Sequence, residues 1–428
     1  MDSAPASSAG RGIAAELTAA LSARDKTRVV AALEGLAGLE PARVEEGVVV
    51  AAKDALARFS DDVEVARVGC RALANLALAA DNQVPLVRDG AHVAVMAAAR
   101  VHAGDVEVAH AACGALWYLT RAVDNHAQLL RDGAHTAVMA AVQAHTADAV
   151  VARHACVTLR NLAVAAGNRV PLVRDGAHTA VMAAMQAHTG DVEVARHGCG
   201  ALGNLAAAED LEVPLVRDGA HTAVIEAARA HAGDVEVARH ACATLRYLTR
   251  AAENHVLLVR DSAHAAVMAA ARAHGGDEVV ARHACVTLHN LATVDDNKVP
   301  LVRDGAHLAV MAAVRVHCGD VEVVRIACRA LQYLAVATDN KVPLVCDGVH
   351  TAVMSAARAY AGDVEVVRAA CGALLRLAEA AENNVPLVRD GAYAAVMAAA
   401  ENHSDDVEVV QLARGVVQNL MATTDSGW

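Results

Sequence analysis

An exact internal repeat constrains this chain more than any other feature. The string VPLVRDGAH recurs with small changes, and its glycine falls at Gly90, Gly133, Gly176, Gly219, Gly305, Gly348 and Gly391, with Ser262 standing in the one gap. Successive positions lie 43 residues apart, and one step back from Gly90 lands on Gly47. A fixed period of this length marks a stacked array in which each unit buries its apolar face only against its neighbours. The register predicts nine units without insertion: 39–81, 82–124, 125–167, 168–210, 211–253, 254–296, 297–339, 340–382 and 383–425. A disordered stretch, 1–12, and an out-of-register helical cap, 13–38, are expected before them, and a short tail, 426–428, after them.

Each unit reads as three helices. The first is short, as in NRVPLVRDG, where Asn168 is expected to cap the start and Pro171 to fall in the first turn. Gly176 then breaks the chain direction, and a second helix runs from Ala177 to His188 before a stop at Gly190. Asp191 opens the third helix. The matching position is Asp in every unit, at Asp62, Asp105, Asp148, Asp191, Asp234, Asp277, Asp320, Asp363 and Asp406. A carboxylate there accepts from orphan backbone N–H groups and suits the positive helix end, and losing it costs about 1 kcal/mol. The third helix is expected to run for about 18 residues, roughly 27 Å. Its apolar positions, Val194, Gly198, Cys199, Leu202, Leu205 and Ala206, form one stripe at helical period that neighbouring units must cover. Apolar residues make up 55% of the chain but aromatics only 2%, a composition that suits closely stacked helices better than a globular core. In the last unit Arg414 takes the place of the buried Cys, which fits a final helix with water on its outer side.

A short helix, Gly, a second helix and a long third helix ending A-L-x-N-L-A is similar to the armadillo repeat. The signature stands as Ala72-Leu73-Ala74-Asn75-Leu76-Ala77, and again at Leu159 to Ala163 and Leu202 to Ala206. The Ala- and Val-rich units resemble the armadillo regions of leucine-rich-repeat kinases and of protist armadillo proteins. The resemblance implies an all-α, right-handed α-α superhelix (an armadillo solenoid) with three helices per unit and a concave groove lined by third helices. It also implies that the signature Asn side chains, at Asn75, Asn161, Asn204 and Asn290, hydrogen-bond the backbone of an extended peptide. The same position holds Tyr118, Tyr247, Tyr333 and Arg376 in other units. An amide offers donors and an acceptor that match a peptide unit, although local bonding of these Asn residues is the plainer alternative.

Other candidate groove residues share that helix face. His154, His197, His240 and His283 occupy one position in four successive units. Stacked helices sit about 8–10 Å apart, too far for imidazoles of neighbouring units to share one zinc ion. The row reads either as solvated polar residues or as a pH-sensitive strip aided by Glu193 and Glu236. Tyr118 with Arg121, and Tyr247 with Arg250, flanked by Trp117 and Arg246, read equally as pairs of the kind that anchor interfaces or as packing against the adjacent helix. Nuclear import adaptors carry Trp four residues before the Asn. Here that position holds Arg71, Gly114, Val157, Gly200, Ala243, Val286, Arg329, Gly372 and Gly415, which argues against a receptor for nuclear localisation signals.

The remaining chemistry-bearing residues have plain expectations. Eight of the ten cysteines fall at one buried position, from Cys70 to Cys371, too far apart for disulfides, while Cys318 and Cys346 lie near turns. His102 and its equivalents end the second helix, where a cation suits the negative terminus. His92, His135, His178, His221, His264, His307 and His350 begin it and are expected to face solvent. Residues that recur every 43 positions do not make one unique active site, and no phosphate loop, nucleophile elbow or metal motif is present in the sequence. We therefore expect no enzyme, no cofactor and no metal. A net charge of −12 argues against nucleic acid. No apolar run suits a signal peptide or a membrane span. The expectation is a monomeric, cytoplasmic (or nuclear or ciliary) scaffold that binds other proteins or peptides. A structural spacer in a cytoskeletal or ciliary assembly, bound through its convex face or edges, is the alternative.

Overall fold

The computed structural model describes residues 8–40 and 46–422, and every described element is helical. The expected segment 1–12 and tail 426–428 therefore lie partly or wholly outside the described residues. Within the described part, a helix already begins at Ser8 and runs to Ala23, five residues ahead of the expected start at Ile13. The second cap helix spans Lys26–Ala37. It packs against the first long third helix, Val63–Ala77, and Lys26 pairs with Asp62 at 2.8 Å.

The fourth unit shows the recurring form. Its helices are Ala166–Arg174, Ala177–Ala187 and Val192–Ala206. The third spans 15 residues rather than 18, or about 22 Å. Gly176 separates the first two helices with φ 86° and ψ 19°, a left-handed conformation that a side chain resists. Ser262 adopts the same turn with φ 67°.

The aspartates do what the sequence predicts and more. All nine accept from N–H groups in the first turn of their helices. Most also pair with a cation that lies 38 residues earlier, on the preceding third helix. Arg67 meets Asp105, Arg153 meets Asp191, Arg239 meets Asp277, Arg282 meets Asp320, Arg325 meets Asp363 and Arg368 meets Asp406. One carboxylate thus caps its own helix and ties it to the one before.

The first helix corrects two expectations. Asn168 is not its cap but its third residue, and Pro171 lies beyond the first turn. The buried Asn168 amide instead donates to Leu162 O at 3.0 Å and to His126 O at 3.3 Å. Those carbonyls lie at the end of a third helix and in the preceding unit, where backbone acceptors would otherwise be orphaned. Asn82, Asn125, Asn254, Asn297, Asn340 and Asn383 donate to the equivalent third-helix carbonyl. Leu211 stands where this Asn would be in the fifth unit. The chain divides there into two compact units, 1–211 and 212–428, with Asp210 at φ 73° just before the boundary.

A third correction concerns the histidines that begin the second helices. They are buried, not solvent-facing. In the first compact unit His92 contacts Asp132 at 2.6 Å and His135 contacts Asp175 at 3.1 Å. In the second, His221, His264, His307 and His350 contact Asp261, Asp304, Asp347 and Asp390 at 2.8–3.0 Å. His102, His145, His274, His317 and His403, which end second helices, place Nε2 against a backbone carbonyl of the preceding unit, as in His145 to Ala103 O at 2.9 Å. The eight repeat cysteines are buried and unbonded to one another, and Cys318 and Cys346 are exposed. Burial pushes the thiols of Cys113 and Cys156 up to about 12, so they stay protonated and act as small apolar side chains.

Candidate functional site

In each compact unit the third helices pack side by side, so side chains at one repeat position form a row. The signature Asn side chains sit half-buried in this row. Their amides already have intramolecular partners. Asn75 donates to Leu39 O at 2.8 Å, Asn204 to Arg160 O at 2.9 Å, and Asn161 and Asn290 to the hydroxyls of Thr120 and Thr249 at 3.1 Å. Thr120 and Thr249 in turn donate to the carbonyls of Trp117 and Arg246. Each amide thus braces its helix against the C-terminal end of the preceding one.

The tyrosines that replace Asn are arranged differently. Trp117 and Tyr118 stack with ring centroids 4.7 Å apart, and His154 of the following unit lies 5.2 Å from Trp117. The Tyr247 ring is covered by the guanidinium of Arg246 at 4.4 Å and approached by that of Arg250 at 5.1 Å, within cation–π range. Arg250 also pairs with the buried Glu212 at 2.8 Å. Tyr333 meets His289 edge-on at 5.2 Å. Tyr118 and Tyr247 are half-buried, whereas Tyr333, Arg121 and Arg376 are exposed, Arg376 pairing with Glu379 at 2.9 Å.

His154, His197 and His283 are held below the ordinary imidazole value. Burial, with smaller contributions from neighbouring cations, holds His154 and His283 at about 4. His197 is also lowered, first by burial and then by Arg160, whose Nη1 sits 3.3 Å from its Nδ1. Glu193 lies 3.5 Å from His197 but does not offset these effects. Glu236 pairs with Arg239. The imidazoles of His154, His197 and His283 are therefore neutral near pH 7, and the pH-sensitive reading fails for them at physiological pH. In the second compact unit His240, at the same repeat position as His283, is half-buried.

Sequence reasoning passed over Arg160 and His289. Both belong to the position just before the Asn, which reads Ala74, Trp117, Arg160, Gly203, Arg246, His289, Gln332, Leu375 and Gln418. Its variability in an otherwise uniform repeat was the available signal. This row also explains the missing tryptophans. A Cβ on Gly200 would come 2.9 Å from Nε of Arg160, so the side chain of the preceding unit already lies over that position.

Among the described residues, no group of three or more His, Cys, Asp or Glu is placed to hold a metal ion. No described helix is long and apolar enough to cross a membrane.

Comparison with known proteins bears on the fold. The family model of the LRRK2 ARM repeat matches residues 174–319, less than half of the chain. A solved structure described as a conserved phosphorylation switch controlling the interaction between cadherin and beta-catenin aligns over 97% of this chain and 96% of that one. Its identity is 15% and its TM-score 0.50. The crystal structure of an engineered protein aligns over 54% of this chain and 92% of that one, with 20% identity and a TM-score of 0.47. No curated protein matches the sequence. The first of these structures agrees with the helix order in showing an armadillo-type repeat fold.

Proposed function

We propose that this chain is a non-catalytic protein-binding scaffold that takes an extended peptide or a partner helix along its third helices. The observation that carries this reading is the division of labour at the signature position. Where Asn occurs, the amide braces the stack. Where Tyr occurs, an aromatic ring sits beside a second aromatic, an imidazole or a guanidinium. Tyr, Trp and Arg are the side chains that most often anchor interfaces, because they bury a large area at small entropic cost. The contact residues are thus Trp117, Tyr118, Arg121, Arg246, Tyr247, Arg250 and Tyr333, with His154, His240, His283 and Arg376 alongside. Asn75, Asn161, Asn204 and Asn290 position them. The interaction between cadherin and beta-catenin, named for the structural neighbour, is a precedent for partner binding on this fold.

A photo-crosslinking residue at Tyr247 or Tyr333, compared with one at the exposed Leu308 of a second helix, tests the reading in the native cell. Crosslinks from the third-helix positions are expected, and Tyr118→Ala, Tyr247→Ala and Tyr333→Ala together should abolish capture while the fold persists. Capture that survives these changes, with crosslinks only from Leu308, would instead place a spacer bound through its other face.

A further inference from the structure

In the second and third repeats, within residues 1–211, a cavity of about 200 Å³ lies between the second helices Ala91–Val101 and Ala134–Ala144 and the third helix Val106–Leu119. Met96, Ala99, Ala112, Leu116, Ala137 and Ala141 are among the apolar residues of its wall. In the first and fourth repeats a large second-helix side chain fills this space against a third-helix glycine. A Cβ on Gly69 would meet Leu56 at 2.6 Å, and one on Gly198 would meet Met185 at 2.5 Å. In the second repeat the two positions are Ala99 and Ala112, a pair of small side chains that recurs at Ala228 and Ala241, Ala271 and Ala284, and Ala357 and Ala370.

Two charged side chains line the cavity, Asp132 and the exposed Arg100. The Asp132 carboxylate is committed to His92 and Gln128, both at 2.6 Å. Arg100 has no ion pair or side-chain hydrogen bond among the described residues. An apolar cavity of about 150 Å³ is already large enough to hold a benzene ring. The space therefore suits an apolar group of one ring or a short acyl chain, and Arg100 in its lining, a cation without another partner among the described residues, suits a carboxylate. Cys113 also lines the cavity with its thiol held protonated by burial, so binding there would be non-covalent.

We propose that this cavity is a binding site for a small apolar carboxylic acid, with Arg100 as its counter-ion. The site is separate from the third-helix face and does not depend on that reading. Titration of the whole chain with 3-phenylpropionate, followed at the Met96 methyl resonance, tests it. A fragment of this size should bind with a Kd on the order of 0.1–1 mM. Ala99→Val introduces the residue that the third and seventh repeats carry at Val142 and Val314, so the fold should tolerate it. It should weaken binding at least tenfold. Arg100→Gln should remove the preference for the acid over 3-phenylpropanol, whereas Arg272→Gln, the equivalent change in another repeat, should leave binding unchanged. No shift at Met96 up to 10-fold above that Kd range, or equal binding by the folded Ala99→Val protein, would overturn the site. An acid preference that survives Arg100→Gln would overturn the ligand class.

Discussion

His283 offers the sharpest test of how this stack handles buried polar groups. Its Nδ1 is buried without a hydrogen-bond partner, and burial, then Arg246 and Arg282, outweigh the favourable Asp277 to hold it at about 4 against an ordinary 6.5. The native state therefore binds this proton less readily than the unfolded chain. The stability it contributes is complete above about pH 6.5 and is lost as pH falls toward 4. At 1.36 kcal/mol per pH unit, lowering the pH from 7.5 to 5 should cost at most about 2 kcal/mol at this site, and about 1 kcal/mol after allowing for partial solvent access. The same repeat position holds Ile326 and Ala369 in later units, so an apolar residue fits there. The variant His283→Ile should keep that stability at pH 5 while the parent loses it, as read from urea unfolding followed by circular dichroism. Parallel losses in the two proteins between pH 7.5 and 5, or an imidazole resonance of His283 that titrates near 6.5, would refute the reasoning.

Five further changes probe the joints of the repeat. Ser262→Gly should raise the melting temperature, and Gly219→Ala should lower stability by about 1 kcal/mol, because φ is positive at both sites and no atom crowds a Cβ at Gly219. Asn204→Ala and Asn290→Ala should each cost about 1 kcal/mol in urea unfolding, since their amides brace the preceding helix; a silent result would free them for a partner. Asp105→Ala should cost about 1–2 kcal/mol at pH 7, from the lost cap and the exposed Arg67 pair. Arg67 and the Val108 N–H, against opposing burial, hold Asp105 at about 2, so its contribution should be intact above about pH 4 and vanish on acidification through 2, as seen in unfolding midpoints across that range.

Much of the fold was legible in the sequence because its causes are local or periodic. The positive φ at Gly176, the N-cap at Asp191 and the buried stripe through Cys199 and Leu202 each follow from a residue and its near neighbours, and the 43-residue period carries them along the chain. The candidate face was legible only as a set of positions. What each side chain does there depends on atoms about 40 residues away, brought near by the stacking. Nothing close to His264 in sequence says that Asp304 will receive it, nor that Thr249 will receive the Asn290 amide. Tertiary packing also lowers the proton affinity of His154 and His197, because burial first, then His110 beside His154 and Arg160 beside His197, outweigh the nearby carboxylates. The sequence by itself determined the modules and their caps, since helix ends are set by local hydrogen bonding. Only the tertiary structure decided which polar groups brace one module against the next and which stay available to a partner, since that depends on register between helices that are far apart in the chain.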